Sequence, residues 1–278
     1  MSLFSSIYLK LLIMIDIGAN LSDDVFRFDL EHVVDNAFKA NVKKIILTGT
    51  TVPISQKAKT IADKYTSSTE HETSMLYSTA GIHPHKAKYF DSNSISELKK
   101  LLDTKYVVAV GECGLDYNRM LSPKEAQIFC LEEHLKLAEH YKSINIKRPL
   151  FLHDRDSHDD FLNIVKKHEL PGVVHCFTGT AEQAQRYIKL GFHIGITGWI
   201  CDDRRNADVI KAMNVIPLDK LLIETDAPYL QPLKTIRRNE PKYLPLVVTK
   251  IASVMGYDED AIIKRTTENA QLLFDLDN

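Results

Sequence analysis

Residues 106–114 read YVVAVGECG, an apolar, β-branched run that closes on Glu112, a residue type that packing cores avoid. Seven more such runs recur along the chain: IMIDIG (13–18), KIILTGT (44–50), LYSTAGIHP (76–84), PLFLHD (149–154), GVVHCF (172–177), FHIGITG (192–198) and KLLIETDAP (220–228). Stretches with helical spacing separate them. DLEHVVDNAFKAN sets Leu30, Val33, Val34, Ala37 and Phe38 on one face, and EAQIFCLEEHLKLAEHY runs an apolar stripe through Ile128, Leu131, Leu135 and Ala138. Eight strand–helix units predict an α/β fold, a closed (β/α)8 TIM barrel. The alternative is an open doubly wound sheet, but no G-x-G-x-x-G follows the first run.

Size and composition agree with one large domain. The chain has 278 residues, 44% hydrophobic, which excludes disorder and collagen-like classes. A formal charge of −2 excludes a uniformly basic nucleic-acid coat, so a polyanion must be gripped by a local patch. Cys113, Cys130, Cys176 and Cys201 show no C-x-x-C spacing, which points to a reducing cytosol, with Cys113 a small buried residue. The N-terminal MSLFSSIYLKLLIMI is interrupted by Lys10, and no uninterrupted stretch could span a bilayer. Residues 1–13 are expected to be an extension or an upstream start, and 14–278 a single barrel domain. A cytoplasmic monomer without a membrane partner is the expectation.

The strand ends carry the chemistry. His83, Glu112, His153, His175 and Asp226 each close a run, and a barrel opens all such ends onto one face. Singly, each histidine reads as an ordinary hydrogen-bonded residue and Asp226 as a turn start. Together, mixed nitrogen and oxygen donors are what a divalent metal needs. His32, His71, His134, His140, His158 and His168 are expected at the surface, and His193 in a structural role.

DIGANL, STAGIHPH, VAVGECGLDYNR, LHDRDSHDDF, VVHCFTGT, GITGWICDDRR, LLIETDAPYL and RRNEP, in this order from about Met14 onwards, together resemble the TatD family of metal-dependent deoxyribonucleases, within the amidohydrolase-like barrel superfamily. That resemblance implies a metallo-dependent hydrolase barrel acting on DNA phosphodiesters, often as a 3′-to-5′ exonuclease on single-stranded or damaged ends. It also implies Mg²⁺ or another divalent ion, with Mn²⁺ and Zn²⁺ as alternatives, bound singly or in pairs. Glu112, His153, His175 and Asp226 fall on the family's metal and catalytic positions, and His83 on its substrate-phosphate position. Many relatives carry H-x-H at the first strand end, where this chain has Gly18 and Asn20. The amide oxygen of Asn20 is a tolerable ligand for Mg²⁺ and a weak one for a transition metal, and this D-x-G-x-N form resembles the branch closest to the bacterial TatD proteins.

In the expected mechanism a metal-activated water attacks the phosphorus, Glu112 bridges to any second ion, and Asp226 is a ligand or the base. His83 and Arg155 would grip the phosphate. Arg204, Arg205, Arg237 and Arg238 could supply the DNA-backbone patch, although Arg238-Asn239-Glu240 also reads as an ion-pair latch. Tyr117, Trp199 and Tyr229 would either stack on bases or pack the wall. The alternatives are an amide or ester hydrolase of the same superfamily, including an aminoacyl-tRNA deacylase, and a non-catalytic scaffold.

Overall fold

The computed structural model describes residues 12–67 and 75–276. Its eight strands are β1 (Met14–Ala19), β2 (Val42–Leu47), β3 (Met75–Ala80), β4 (Val107–Asp116), β5 (Leu150–Arg155), β6 (Gly172–Val174), β7 (His193–Ile196) and β8 (Leu221–Ile223). They form one parallel sheet in sequence order. Closure between β8 and β1 is made just past the strand ends, where the Asp226 N–H donates to the Gly18 carbonyl (2.8 Å) and the Asn20 N–H to the Ala227 carbonyl (2.6 Å). The predicted (β/α)8 barrel is therefore the observed one.

The helices between successive strands are α1 (Leu30–Lys39), α2 (Val52–Ser67), α3 (Ser94–Leu102), α4 (Lys124–Ser143), α5 (His158–Val165), α6 (Ala181–Lys189) and α7 (Ala207–Met213), and α8 (Leu244–Met255) and α9 (Glu259–Phe274) follow β8. Strands buried on both faces explain the near-continuous apolar runs, since one face packs inside the barrel and the other under helices. Ile15, Ile17, Ile46, Tyr77, Val108, Phe151, Val173 and Leu222 fill the barrel, and Leu273 and Phe274 of α9 close the cluster. Solid packing from that end leaves space for chemistry only at the other.

Helix boundaries follow local chemistry. Thr180 and Gln183 form a reciprocal capping box at the start of α6, and Gly256 ends α8 in the left-handed region (φ 71°). Two expectations about histidines are corrected. His134 is wholly buried, its Nε2 accepting from the Ile82 N–H (3.0 Å) while its Nδ1 meets the Cys130 carbonyl (2.7 Å). His158 is buried against the Tyr187 hydroxyl (2.7 Å). His134 thus has both ring nitrogens met, whereas His158 is met at Nδ1 and its Nε2 is buried without a hydrogen-bond partner; helical position alone reveals neither. Ile128, expected on the apolar stripe of α4, is only partly buried, whereas Gln127, Cys130 and Tyr141 are buried. His71 and residues 1–11 of the expected N-terminal extension lie outside the described residues. No helix among the described residues is long and apolar enough to cross a membrane.

Candidate metal centre

A break in strand pairing aims Glu112. Gly111 pairs with Phe151 and Cys113 with Leu152, so Glu112 is an extra residue in β4, and such bulges redirect side chains. Its backbone N–H is taken by the Gly49 carbonyl (2.8 Å). Gly114 lets β4 and β5 meet closely: a Cβ there would stand 1.9 Å from the His153 carbonyl oxygen, at φ +148°. The strand ends at β6 and β8 are shorter than their apolar runs. Cys176 (φ 47°) and Asp226 (φ 52°) leave extended geometry beyond these ends.

Three imidazoles converge on one oxygen. Glu112 Oε1 lies 3.1 Å from His83 Nε2, 3.0 Å from His153 Nδ1 and 2.8 Å from His175 Nε2. Ligand atoms of His83, Glu112 and His153 all lie within 4.8 Å of one another, a group able to hold a metal ion. Burial would raise the Glu112 carboxyl, but the His83, His175 and His153 rings outweigh it and hold it well below the usual range. Burial likewise works against protonation of His175, yet Glu112 and Glu224 on its two sides hold it well above an ordinary histidine. His83 goes the other way: burial pushes it down to about 4, against the pull of Glu112. Asp226 is pushed up to about 7 by burial, and its Oδ1 accepts from the Asn20 amide (2.9 Å).

The donor set fits a divalent ion. His153 Nε2 is buried without a hydrogen-bond partner, an unmet ring nitrogen among carboxylates and imidazoles. A cavity of about 520 Å³ opens above it, bordered by Asn20, His83, Glu112, His153, Arg155, His175, Arg205 and Asp226. All five strand-end residues thus border one cavity.

The cationic residues divide. Arg155 and Arg205 lie against the Trp199 ring, 4.7 and 3.8 Å from its centroid, at the cavity rim. Arg204 (2.7 Å) and Arg205 (2.9 Å) both pair with Asp202, and Arg204 does not line the cavity. Arg238 is engaged by Asp29 (2.7 Å), Glu240 (2.8 Å) and the Val25 carbonyl (2.9 Å), the latch arrangement. Arg237 borders a neighbouring cavity instead. Of the aromatics, Tyr117 bonds Asp160 (3.1 Å), whereas Trp199 and Tyr229 line the central cavity.

Three residues here escaped the sequence reading. His85 Nε2 meets Asp116 Oδ2 at 2.6 Å, and that same oxygen is 3.5 Å from His153 Nε2. Glu224, with no exposed surface, bonds the Cys176 N–H through Oε1 (2.5 Å) and His175 Nδ1 through Oε2 (3.3 Å). Its carboxylate occupies space beside Gly18 and Gly195, where a Cβ would lie 2.4 and 2.5 Å away. The available signal was period for Asp116, which follows Glu112 by four, a spacing that shares a strand face; Glu224 lies just past β8, where period gives no such signal.

Residues 15–275 match the family described as TatD related DNase. The chain belongs to that family. A relative from Erwinia billingiae, named 3'-5' ssDNA/RNA exonuclease TatD, is 41% identical over 271 residues, covering 95% of this chain and 99% of its own. Among solved structures, a TatD homologue from Escherichia coli K12 superposes with a TM-score of 0.83 at 30% identity, covering 95% of this chain and 98% of that one. A TatD-family hydrolase from Entamoeba histolytica gives 0.83 at 27%, with 94% and 98% covered. As a TatD-family nuclease, the chain is a hydrolase of phosphodiester bonds, and nucleic acid is its substrate class.

Proposed function

We propose that this chain is a metal-dependent 3′-to-5′ exonuclease on single-stranded DNA and RNA, and that residues 14–278 form one hydrolase domain. The observation that carries the reading is the buried Glu112 oxygen ringed by three imidazoles, with a His153 nitrogen that makes no hydrogen bond and has only Asp116 Oδ2 at 3.5 Å, beneath an open cavity. Glu112, His153, His175 and Asp226 would hold a divalent ion, and His83 stands close enough to join them. A bound ion supplies Lewis acidity, offsetting phosphate charge and making water nucleophilic near neutral pH.

The protein's own groups do the rest. Asp226, raised towards neutrality, suits the base that takes a proton from the attacking water, and Asn20 fixes which carboxylate oxygen is already engaged. Arg155 and Arg205, braced on Trp199, offer charge to the phosphate where negative charge develops. Glu224 orients His175 from behind, as outer partners of metal-binding imidazoles do. Mg²⁺ is the ion we propose: Glu112, Asp116 and Asp226 supply hard oxygen donors, while the imidazoles make Mn²⁺ and Zn²⁺ the competitors to test. A monomer is the assembly we propose, and free thiols at Cys113, Cys130, Cys176 and Cys201 support a cytosolic location.

End-labelled single-stranded DNA and RNA, incubated with protein stripped and reloaded with each metal, should shorten from the 3′ end. Glu112→Ala and His175→Ala should abolish cleavage while retaining the fold. Full activity in either reloaded variant, or cleavage of an aminoacyl ester or small amide in preference to oligonucleotide, would defeat the proposal.

A further inference from the structure

A second cavity of about 610 Å³ adjoins the metal cavity, and Tyr229 lines both. We infer that this second cavity is a nucleotide subsite, holding the unpaired nucleotide next to the one whose phosphodiester is cut. The inference rests on the nuclease reading above and names where the rest of the strand goes.

The chemistry of the walls is that of a base and its phosphate. Val25, Pro228 and the rings of Tyr229 and Tyr243 offer apolar and aromatic surface, and Tyr229 is 54% exposed at the shared edge. A strand running out of the metal cavity crosses that ring, where any base can stack. The volume falls in the range of about 300–1,000 Å³ usual for small-ligand pockets.

Charge is unbalanced in the direction a phosphate needs. Arg238 is shared between Glu240 (2.8 Å) and Asp29 (2.7 Å), and Lys242 takes the other Glu240 oxygen (2.8 Å), so two cations balance two carboxylates. Arg237, on the same wall, is exposed and makes no ion pair or hydrogen bond among the described residues, so its guanidinium is free for a backbone oxygen. This provides a local cation on a chain of net charge −2.

The walls are also held in place. The Asn239 amide donates to the carbonyls of Thr225 (2.9 Å), Tyr229 (2.6 Å) and Leu230 (3.3 Å), and Arg238 ties the loop after β8 to the Val25 carbonyl and Asp29. A preformed pocket loses less to ordering when it binds. Among the described residues no unpaired side-chain amide or carboxylate faces the pocket, so recognition is by stacking and charge, tolerant of base identity.

The test uses fluorescein-labelled hexathymidylate and the whole chain in EDTA, with binding read by anisotropy. Val25→Trp fills the cavity from its rim, and Arg237→Ala removes the free cation. Each should weaken binding about tenfold, and Arg237→Ala should reduce the salt slope by about one. With metal restored, Val25→Trp should hydrolyse bis(4-nitrophenyl) phosphate, which needs only the metal cavity, at an unchanged rate. Unchanged hexathymidylate binding in both variants overturns the subsite, as does a parallel loss of small-diester hydrolysis. If Val25→Trp does not fold, Arg237→Ala decides alone, because its side chain is on the surface. A wild-type chain that cuts no oligonucleotide under any metal sinks the nuclease reading itself; one that cuts, with variants that bind equally well, sinks only the subsite.

Discussion

Glu224→Gln tests how the site is held, because a glutamine is the same size but has one acceptor oxygen where glutamate has two. In the native site both oxygens are used: one faces the Cys176 N–H at 2.5 Å, the other His175 Nδ1 at 3.3 Å. An amide can serve either partner, and its NH₂ group then confronts the other. A buried donor left without an acceptor costs about 1–3 kcal/mol. If the lost partner is His175, its proton is no longer anchored on Nδ1 and competes for Nε2, the nitrogen 2.8 Å from Glu112 that faces the metal group. Loss of such outer partners costs about 10–100-fold in metal affinity or activity, the same range of energy. The assay is Mn²⁺ titration of wild type and variant by calorimetry, alongside kcat on a single-stranded oligonucleotide and thermal unfolding in EDTA. The expected result is a folded variant with metal Kd raised about tenfold or more. A Kd within about twofold of wild type would refute the claim that Glu224 governs the His175 ring.

Other consequences follow from individual contacts. Asp16, wholly buried beneath Thr225, is raised by burial to about 8, so between pH 4 and 8 the folded chain keeps a proton that the unfolded chain releases. That linkage lowers stability as pH rises through the window; Asp16→Asn should gain on wild type in urea unfolding at pH 8 compared with pH 5, and an equal difference at both would count against it. His134→Leu leaves the Ile82 N–H without its acceptor one residue before His83, at a cost of about 1–3 kcal/mol, measurable by denaturant unfolding as a lower midpoint. Gly114→Ala drives a methyl into the His153 carbonyl, and a loss on the order of 3 kcal/mol or more, or failure to fold, is expected; wild-type thermal stability would contradict the close approach of β4 to β5.

Much of this molecule is written in the order of its residues. Parallel strands buried on both faces must be apolar throughout, so eight such runs mark a barrel, and polar residues at their ends mark one working face. His83, Glu112, His153, His175 and Asp226 could be named on that ground alone. Period and burial could not say more. Whether Arg238 reaches nucleic acid or Asp29 depends on loop geometry, and whether His134 is wet or dry depends on the packing of α4 over the Ile82 segment. Asp116 and Glu224 carry the same lesson: a carboxylate on a strand looks alike in sequence whether it faces solvent, a metal or the back of a histidine. Contacts between residues far apart in the chain decide among these, because the cost of burying each polar group is set by the partner it finds, and only the folded barrel brings the partners within reach.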